Sequence, residues 1–198
     1  MKNSALIKTK LLYTLQETSS WFTPDIEYFI WYGTLLGYHR DLDIIHNDDD
    51  VDFYVNIKHR DNLLDIIHQK TSGSDPWQIS INEDCFLKIK KQSRCKSKWG
   101  HVDYYFYDNQ EINKVVYEKK VLSRLAKDGA ILVDNPGVPQ HYIYPIKNIE
   151  FRGIKVNIPN EPDKCSKFIY GDNYMTPLPK RKKLYQQYPT LRKDDIQN

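Results

Sequence analysis

The chain is 198 residues long, 40% hydrophobic and 13% aromatic with 15 Tyr, enough for one sizeable packed core. Its formal charge of +3 is too small to imply nucleic-acid binding by itself. A 28% charged fraction, a negative mean hydropathy and the lack of any apolar run near the ~20 residues of a spanning helix argue against a membrane-embedded protein.

The opening segment MKNSALIKTKLLYTLQ carries Lys8 and Lys10 and has no long apolar stretch, so it reads as an amphipathic helix rather than a signal peptide. The expected helix covers residues 4–20, with Leu6, Leu11, Leu12 and Leu15 on a shared face. Pro24 marks a turn. Residues 27–32 (EYFIWY) read as a buried strand running into Gly33, residues 34–40 as a short helix, and residues 41–47 as a loop. A second strand is expected over residues 50–56, with Val51, Phe53 and Val55 on one face and Asp50, Asp52 and Tyr54 on the other. A helix near residues 60–70 and a loop over 71–76 follow. Three strands come next, at 77–81, 85–91 and 101–107, with the basic run KKQSRCKSKWG before the last of them. Residues 111–122 have helical or strand character, and NPGVP at 135–139 is a turn. YPIKNIEFRGIKVNIP reads as two short strands around Gly153, and residues 163–170 as a short helix that Gly171 ends. From about residue 178 the chain is basic and its end is expected to be loosely held. With no repeat and no linker, residues 1–198 read as a single domain. Cys85, Cys95 and Cys165 are odd in number and lack a CxxC pair, which fits a reducing compartment and gives no zinc-site spacing. A cytoplasmic location follows as the expectation.

The chemistry concentrates in WYGTLLGYHRDLDIIHNDDDVDFYV, residues 31–55. On an extended backbone Asp48, Asp50 and Asp52 share a face and Asp49 turns away. Carboxylates crowded at the mouth of an apolar strand repel one another and resist burial, and a divalent cation is the simplest offset. Hard oxygen donors suit Mg²⁺ or Mn²⁺. A Gly33-Thr34 turn opening a helix offers N–H groups to a phosphate. Asp103, in the aromatic strand HVDYYFY, is a lone charge that needs a partner there. It is placed to complete the metal shell or to accept the proton of an attacking hydroxyl. Together these are the parts of a phosphoryl or nucleotidyl transfer site. The plain alternative is a solvated acidic loop; a calcium EF-loop is excluded, because no Gly and no terminal Glu fall at its spacing.

Lesser candidates flank this core. Arg40 has the fork to pair with a donor phosphate, or else forms a salt bridge to Asp43 or the acidic cluster. His39 and His46 flank the site and read as solvated; Trp31 and Tyr32 read as core, and Tyr38 as a residue that packs or stacks on a base. Residues 88–98 hold six Lys/Arg and no acid, which is either a solvated hairpin or a guide for an anionic substrate. The run Lys180-Arg181-Lys182-Lys183 reads as a solvated tail.

WYGTLLGYHR, seven residues, then DDDVDFYV resembles the signature of the LicD/fukutin-type phosphotransferases, roughly YGTLLGxxR followed by DDDID. HVDYYFY resembles the family's later Asp strand, and YPIKNIEFRGIKVNIP with FIYGDNYMTP resembles its C-terminal pattern, so the likeness spans about residues 27–178. Asp41-Leu42-Asp43 stands where the family has Gly-Gly, and His46-Asn47 where it has Pro-Trp; both fall in the loop that the resemblance implies as the frame of the donor. The resemblance implies an α+β, polymerase-β-like nucleotidyltransferase fold, a mixed β-sheet flanked by helices. It implies a metal set of Asp48, Asp50, Asp52 and Asp103, with Asp50, Asp52 and Asp103 catalytic and Gly33, Thr34 and Arg40 on the substrate. The implied reaction moves a phospho-alcohol, such as phosphocholine or a polyol phosphate, from a CDP-alcohol to a glycan hydroxyl and releases CMP. Two other readings stand beside it: a nucleotidyltransferase that adds NMP to a protein, RNA or small molecule, and a non-catalytic nucleotide-binding module.

Overall fold

The computed structural model describes residues 2–46, 48–72, 77–91, 100–109, 115–118, 130–131, 137–177 and 191–192. Helix α1 (Lys2–Ser19) leads into strand β1 (Tyr28–Ile30), helix α2 (Tyr32–Leu36) and a π-helical turn, Gly37–Asp41. Then come β2 (Asp50–Asn56), a 3₁₀ turn at Ile57–His59, α3 (Arg60–Thr71), β3 (Trp77–Glu83), β4 (Phe86–Lys91) and β5 (His101–Asp108). Short strands β6 (Val115–Glu118), β7 (Ala130–Ile131) and β8 (Val138–Pro139) precede α4 (Gln140–Ile143). The hairpin β9 (Lys147–Phe151) and β10 (Ile154–Ile158), then α5 (Pro162–Tyr170) and β11 (Leu191–Arg192), complete the described chain.

The main sheet has the order β1-β2-β5-β4-β3, with β6 continuing beside the end of β5 and pairing with β8. β2 and β5 run parallel; the other pairs in this sheet are antiparallel. β9 pairs with β10, and β7 with β11, as separate two-stranded sheets.

Period-2 alternation divides β2 and β5 into two faces. Val51, Phe53, Val55, Val102, Tyr104 and Phe106 form one, all fully buried. Phe53 stacks on Tyr104 at 5.6 Å between ring centroids, and Phe22 meets Phe53 edge-on at 5.0 Å. Leu11 and Leu15 of α1 join this core, and each buried side chain of this size contributes about 1.5–3 kcal/mol. On the second face Trp31 stacks on Tyr54 at 5.0 Å, and Tyr54 contacts Tyr107 at 4.8 Å. That face becomes acidic toward the start of β2. The result is a mixed sheet flanked by helices, the α+β architecture expected.

Differences from the sequence expectation are local. Leu6 is 53% exposed, so the buried stripe of α1 rests on Leu11 and Leu15 with Leu12 partly buried. The first strand ends at Ile30, because Trp31 caps α2 and Tyr32 takes a positive φ of 37°. The expected helix over 34–40 is instead α2 followed by the π-helical turn. Within 111–122 the described residues form β6. Residues 73–76 of the expected loop, 92–99 of the basic run, the start of the 135–139 turn, and the tail from 178 apart from 191–192, including Lys180 to Lys183, lie outside the described residues. Among the described residues no helix is long and apolar enough to cross a membrane.

Candidate active site

The parallel register of β2 and β5 builds the site from two separate stretches of chain. Asp50 lies opposite His101, and Asp52 opposite Asp103. β4 adds Lys88 opposite Asp103 from the other side. Because alternate strand residues share a face, Asp50, Asp52, His101, Asp103 and Lys88 converge on one side of the sheet. Asp48 precedes β2 in a turn whose amide donates to the Ile45 carbonyl at 3.1 Å. Asp49 is exposed, as expected, and its carbonyl accepts from the His101 amide at 3.2 Å.

The turn at Gly33 is fitted to these carboxylates. Its amide donates to Asp52 Oδ2 at 2.9 Å. A methyl group at position 33 would come within 2.9 Å of Asp48 Oδ2 and 3.2 Å of Asp52 Oδ2, so only glycine lets both acids approach the backbone. The Thr34 hydroxyl accepts from the Asp52 amide at 2.8 Å and is buried. The hydroxyl thus joins α2 to β2, while the Gly33 amide is taken up by the Asp52 carboxylate.

Burial and mutual repulsion dominate the electrostatics. Burial and the neighbouring Asp50 push the Asp48 carboxyl up to about 7. Asp52 is raised well above the ordinary carboxylate range by burial and by the charges of Asp50, Asp48 and Asp103. Burial also raises Asp103, against the opposing pull of His101 and Lys88. Burial pushes Asp50 upward too, but its hydrogen bond to His101 and that ring's charge outweigh it, and Asp50 ends below its usual value. The same bond raises His101. Lys88 Nζ sits 3.1 Å from Asp103 Oδ2, while Asp103 Oδ1 is buried with no hydrogen-bond partner.

These residues fit a cation. Among the described residues two groups place ligand atoms within 4.8 Å of one another: Asp50, His101 and Asp103; and Asp48, Asp49 and Asp50. A buried carboxylate oxygen without a partner, in a cluster whose acids repel, is where a positive charge offsets most.

The flanking candidates sort differently. Arg40 is engaged bidentately by Asp41, at 2.7 and 2.8 Å, and also feels the charge of Asp48. His39 approaches Asp163 at 3.3 Å and stacks on Tyr174, whose hydroxyl donates to the same carboxylate. These contacts bring Asp163, in the first turn of α5, and Tyr174 beside the π-helical turn. His46 is exposed. Trp31 is core, and Tyr38 packs edge-on against Phe151 at 5.4 Å rather than presenting a platform. Two site residues escaped assignment from sequence. His101 was legible as the residue two before Asp103 on a strand; Lys88 required the β4–β5 register.

The sequence pattern of LicD/FKTN/FKRP, nucleotidyltransferase domain, matches residues 25–161, a span that holds Gly33, Asp48, Asp50, Asp52 and Asp103 and the strands that carry them. The chain belongs to this family. The LicD-type assignment accounts for the nucleotidyltransferase architecture and makes the chain a transferase related to nucleotide chemistry. No curated protein matches the LicD-type chain. Among solved structures, it is similar to the lincosamide antibiotic adenylyltransferase LnuA with lincomycin bound, at 12% identity and a TM-score of 0.41, covering 77% of this chain and 80% of that one. It is also similar to ANT(2")-Ia in complex with adenylyl-2"-tobramycin, at 13% identity and a TM-score of 0.36, covering 80% and 70%.

Proposed function

We infer that the protein is a metal-dependent phosphotransferase that moves a phospho-alcohol from a CDP-activated donor to a glycan hydroxyl. The observation that carries this reading is the register of Asp52 beside Asp103 on parallel strands, next to the Gly33 turn. LicD-type membership and the resemblance of the 31–55 block to the fukutin-type phosphotransferases support the choice of reaction.

Asp48, Asp50, Asp52 and Asp103 would hold the cation, Mg²⁺ or Mn²⁺, whose chemistry when bound is to polarise diphosphate oxygens and offset charge on the leaving nucleotide. The Gly33 amide holds Asp52, and the Thr34 amide would orient a donor phosphate at the start of α2. The unpartnered Oδ1 of Asp103 is the atom available to bind the cation or to take the acceptor's proton. As the acceptor oxygen bonds to the phosphorus bearing the alcohol, the bond from that phosphorus to the bridging oxygen breaks. CMP leaves with that oxygen and its electron pair. Positioning by rigid strand termini and electrostatic offset supply most of the rate.

A thermal-shift screen of CDP-alcohols and NDP-sugars with and without Mn²⁺, with Asp50→Asn as control, tests the donor class. Cation-dependent stabilisation by a CDP-alcohol, followed by release of CMP and a phosphodiester-linked acceptor, is the expected result. Release of pyrophosphate would favour the second reading, NMP transfer, which the nucleotidyltransferase name of the family's domain keeps open. Full activity in Asp52→Ala would defeat both.

A further inference from the structure

We propose that His101 is itself a ligand of the cation, so that Asp50, His101 and Asp103 form a mixed nitrogen–oxygen seat across β2 and β5. The proposal rests on the metal-dependent reading above and deepens it by naming the donor set and the class of ion it selects.

The argument is geometric. His101 Nε2 lies 3.4 Å from Asp50 Oδ2 and 3.7 Å from Asp103 Oδ1. The first distance is at the limit of a hydrogen bond and the second is beyond it, so a single ring nitrogen faces two carboxylate oxygens without satisfying both. The Asp103 side chain is only 6% exposed, and its Oδ1 has no hydrogen-bond partner. Lys88 holds the other oxygen, Oδ2, at 3.1 Å, which fixes the carboxylate with Oδ1 turned toward the imidazole. Metal–ligand bonds of about 2.1 Å place adjacent ligands about 3.0 Å apart and opposite ones about 4.2 Å apart. Both separations from the ring nitrogen fall between those limits, and the three residues place ligand atoms within 4.8 Å of one another, a span that side-chain rotation would tighten onto one ion.

The backbone fixes this arrangement. His101 is the strand partner of Asp50 and stands two residues before Asp103 on the same face of β5. All three donors therefore come from paired strands rather than from loops, and strands hold ligands more precisely.

A nitrogen donor changes which ion the site prefers. Carboxylate and water sets take Mg²⁺ readily, whereas imidazole suits transition metals. The protein should therefore prefer Mn²⁺ to Mg²⁺, and His101 should be the source of that preference.

The test uses Mn²⁺ and Mg²⁺ alone, by calorimetry, with pulsed EPR on the Mn²⁺-loaded protein. Wild type should bind Mn²⁺ at least about tenfold more tightly than Mg²⁺ and show nitrogen-14 modulation from a coordinated imidazole. His101→Gln should lose that modulation and bind Mn²⁺ about tenfold more weakly, with a smaller change for Mg²⁺ and an unchanged circular dichroism spectrum. His46→Gln should keep the modulation. Tight Mn²⁺ binding without nitrogen modulation in wild type, or modulation that survives in His101→Gln, would overturn the proposal and leave a carboxylate-only metal site intact. No Mn²⁺ binding at all would overturn both the proposal and the metal-dependent reading.

Discussion

Gly33 meets two carboxylates at a point where no side chain fits. In Gly33→Ala the new methyl group would lie 2.9 Å from Asp48 Oδ2 and 3.2 Å from Asp52 Oδ2, so the acids must be pushed off their positions. The fold should lose about 1–2 kcal/mol, since the strain is confined to side-chain ends, while Mn²⁺ affinity and turnover fall together by tenfold or more. Calorimetry and urea unfolding on the same preparation check both halves. Asp52→Asn should act in the opposite direction on stability. Burial and the charges of Asp50, Asp48 and Asp103 hold the Asp52 carboxyl well above its ordinary range, so the native state is destabilised by this group at neutral pH. Asn keeps an oxygen to accept the Gly33 amide and removes the repulsion. Metal-free Asp52→Asn should melt about 3–6 °C above wild type while losing turnover, and a lower melting temperature would count against the repulsion account. At this scale the sequence revealed what alternation reveals: three aspartates on one face and a fourth in an aromatic strand. It did not reveal that the Arg40 fork closes on Asp41 next to it, because both Asp41 and Asp43 lie within reach and only the π-helical turn decides between them.

Strands β1, β2 and β5 are joined beyond their ladders by one carboxylate. Glu27 Oε1 accepts from Asn56 Nδ2 at 2.8 Å, from the Tyr107 hydroxyl at 2.7 Å and from the Tyr144 hydroxyl at 2.8 Å. Partial burial pushes this carboxyl upward, but the three hydrogen bonds and the charge of Lys58 outweigh it and leave it below its ordinary value of 4.5. A lowered folded value gives stability that is present above the unfolded value and lost as pH falls through the folded one. Glu27→Gln should therefore cost about 2–3 kcal/mol at pH 7, and the gap to wild type should narrow as pH is lowered below 4.5, as read by urea midpoints across that range. A gap independent of pH would show that charge contributes nothing here. β2, α3 and the β9–β10 hairpin were legible because each carries its period in a short window: alternating apolar residues, an apolar stripe, and two runs around Gly153. The π-helical turn was not. Its shape comes from tertiary fit: a Cβ at Gly37 would sit 2.6 Å from the Asp43 carbonyl oxygen, and Leu42 takes a φ of 50° to turn the chain back.

At the scale of the molecule, the family match at 25–161 contains the acidic face of the sheet but leaves out α1, which covers the opposite face. Leu11 and Leu15 are fully buried in the core with Phe53 and Tyr104, and Glu17 at the end of α1 accepts from Trp77 Nε1 at 2.8 Å. The face under α1 thus carries packing without chemistry, and loss of stability there should separate from loss of metal binding on mutation. Leu15→Ala removes buried methyl groups beneath β2 and should cost about 2–5 kcal/mol, a large share of the 5–15 kcal/mol typical of a folded chain. The melting temperature should fall by about 6–15 °C. Well below that temperature the Mn²⁺ affinity of the folded protein should stay within about twofold of wild type, because Asp50, Asp52 and Asp103 are held by the β2–β5 register and the Gly33 turn rather than by the helix. A loss of Mn²⁺ affinity equal to that of Gly33→Ala would mean that α1 sets the positions of the carboxylates through the sheet, and the two faces would then have to be treated as one mechanical unit.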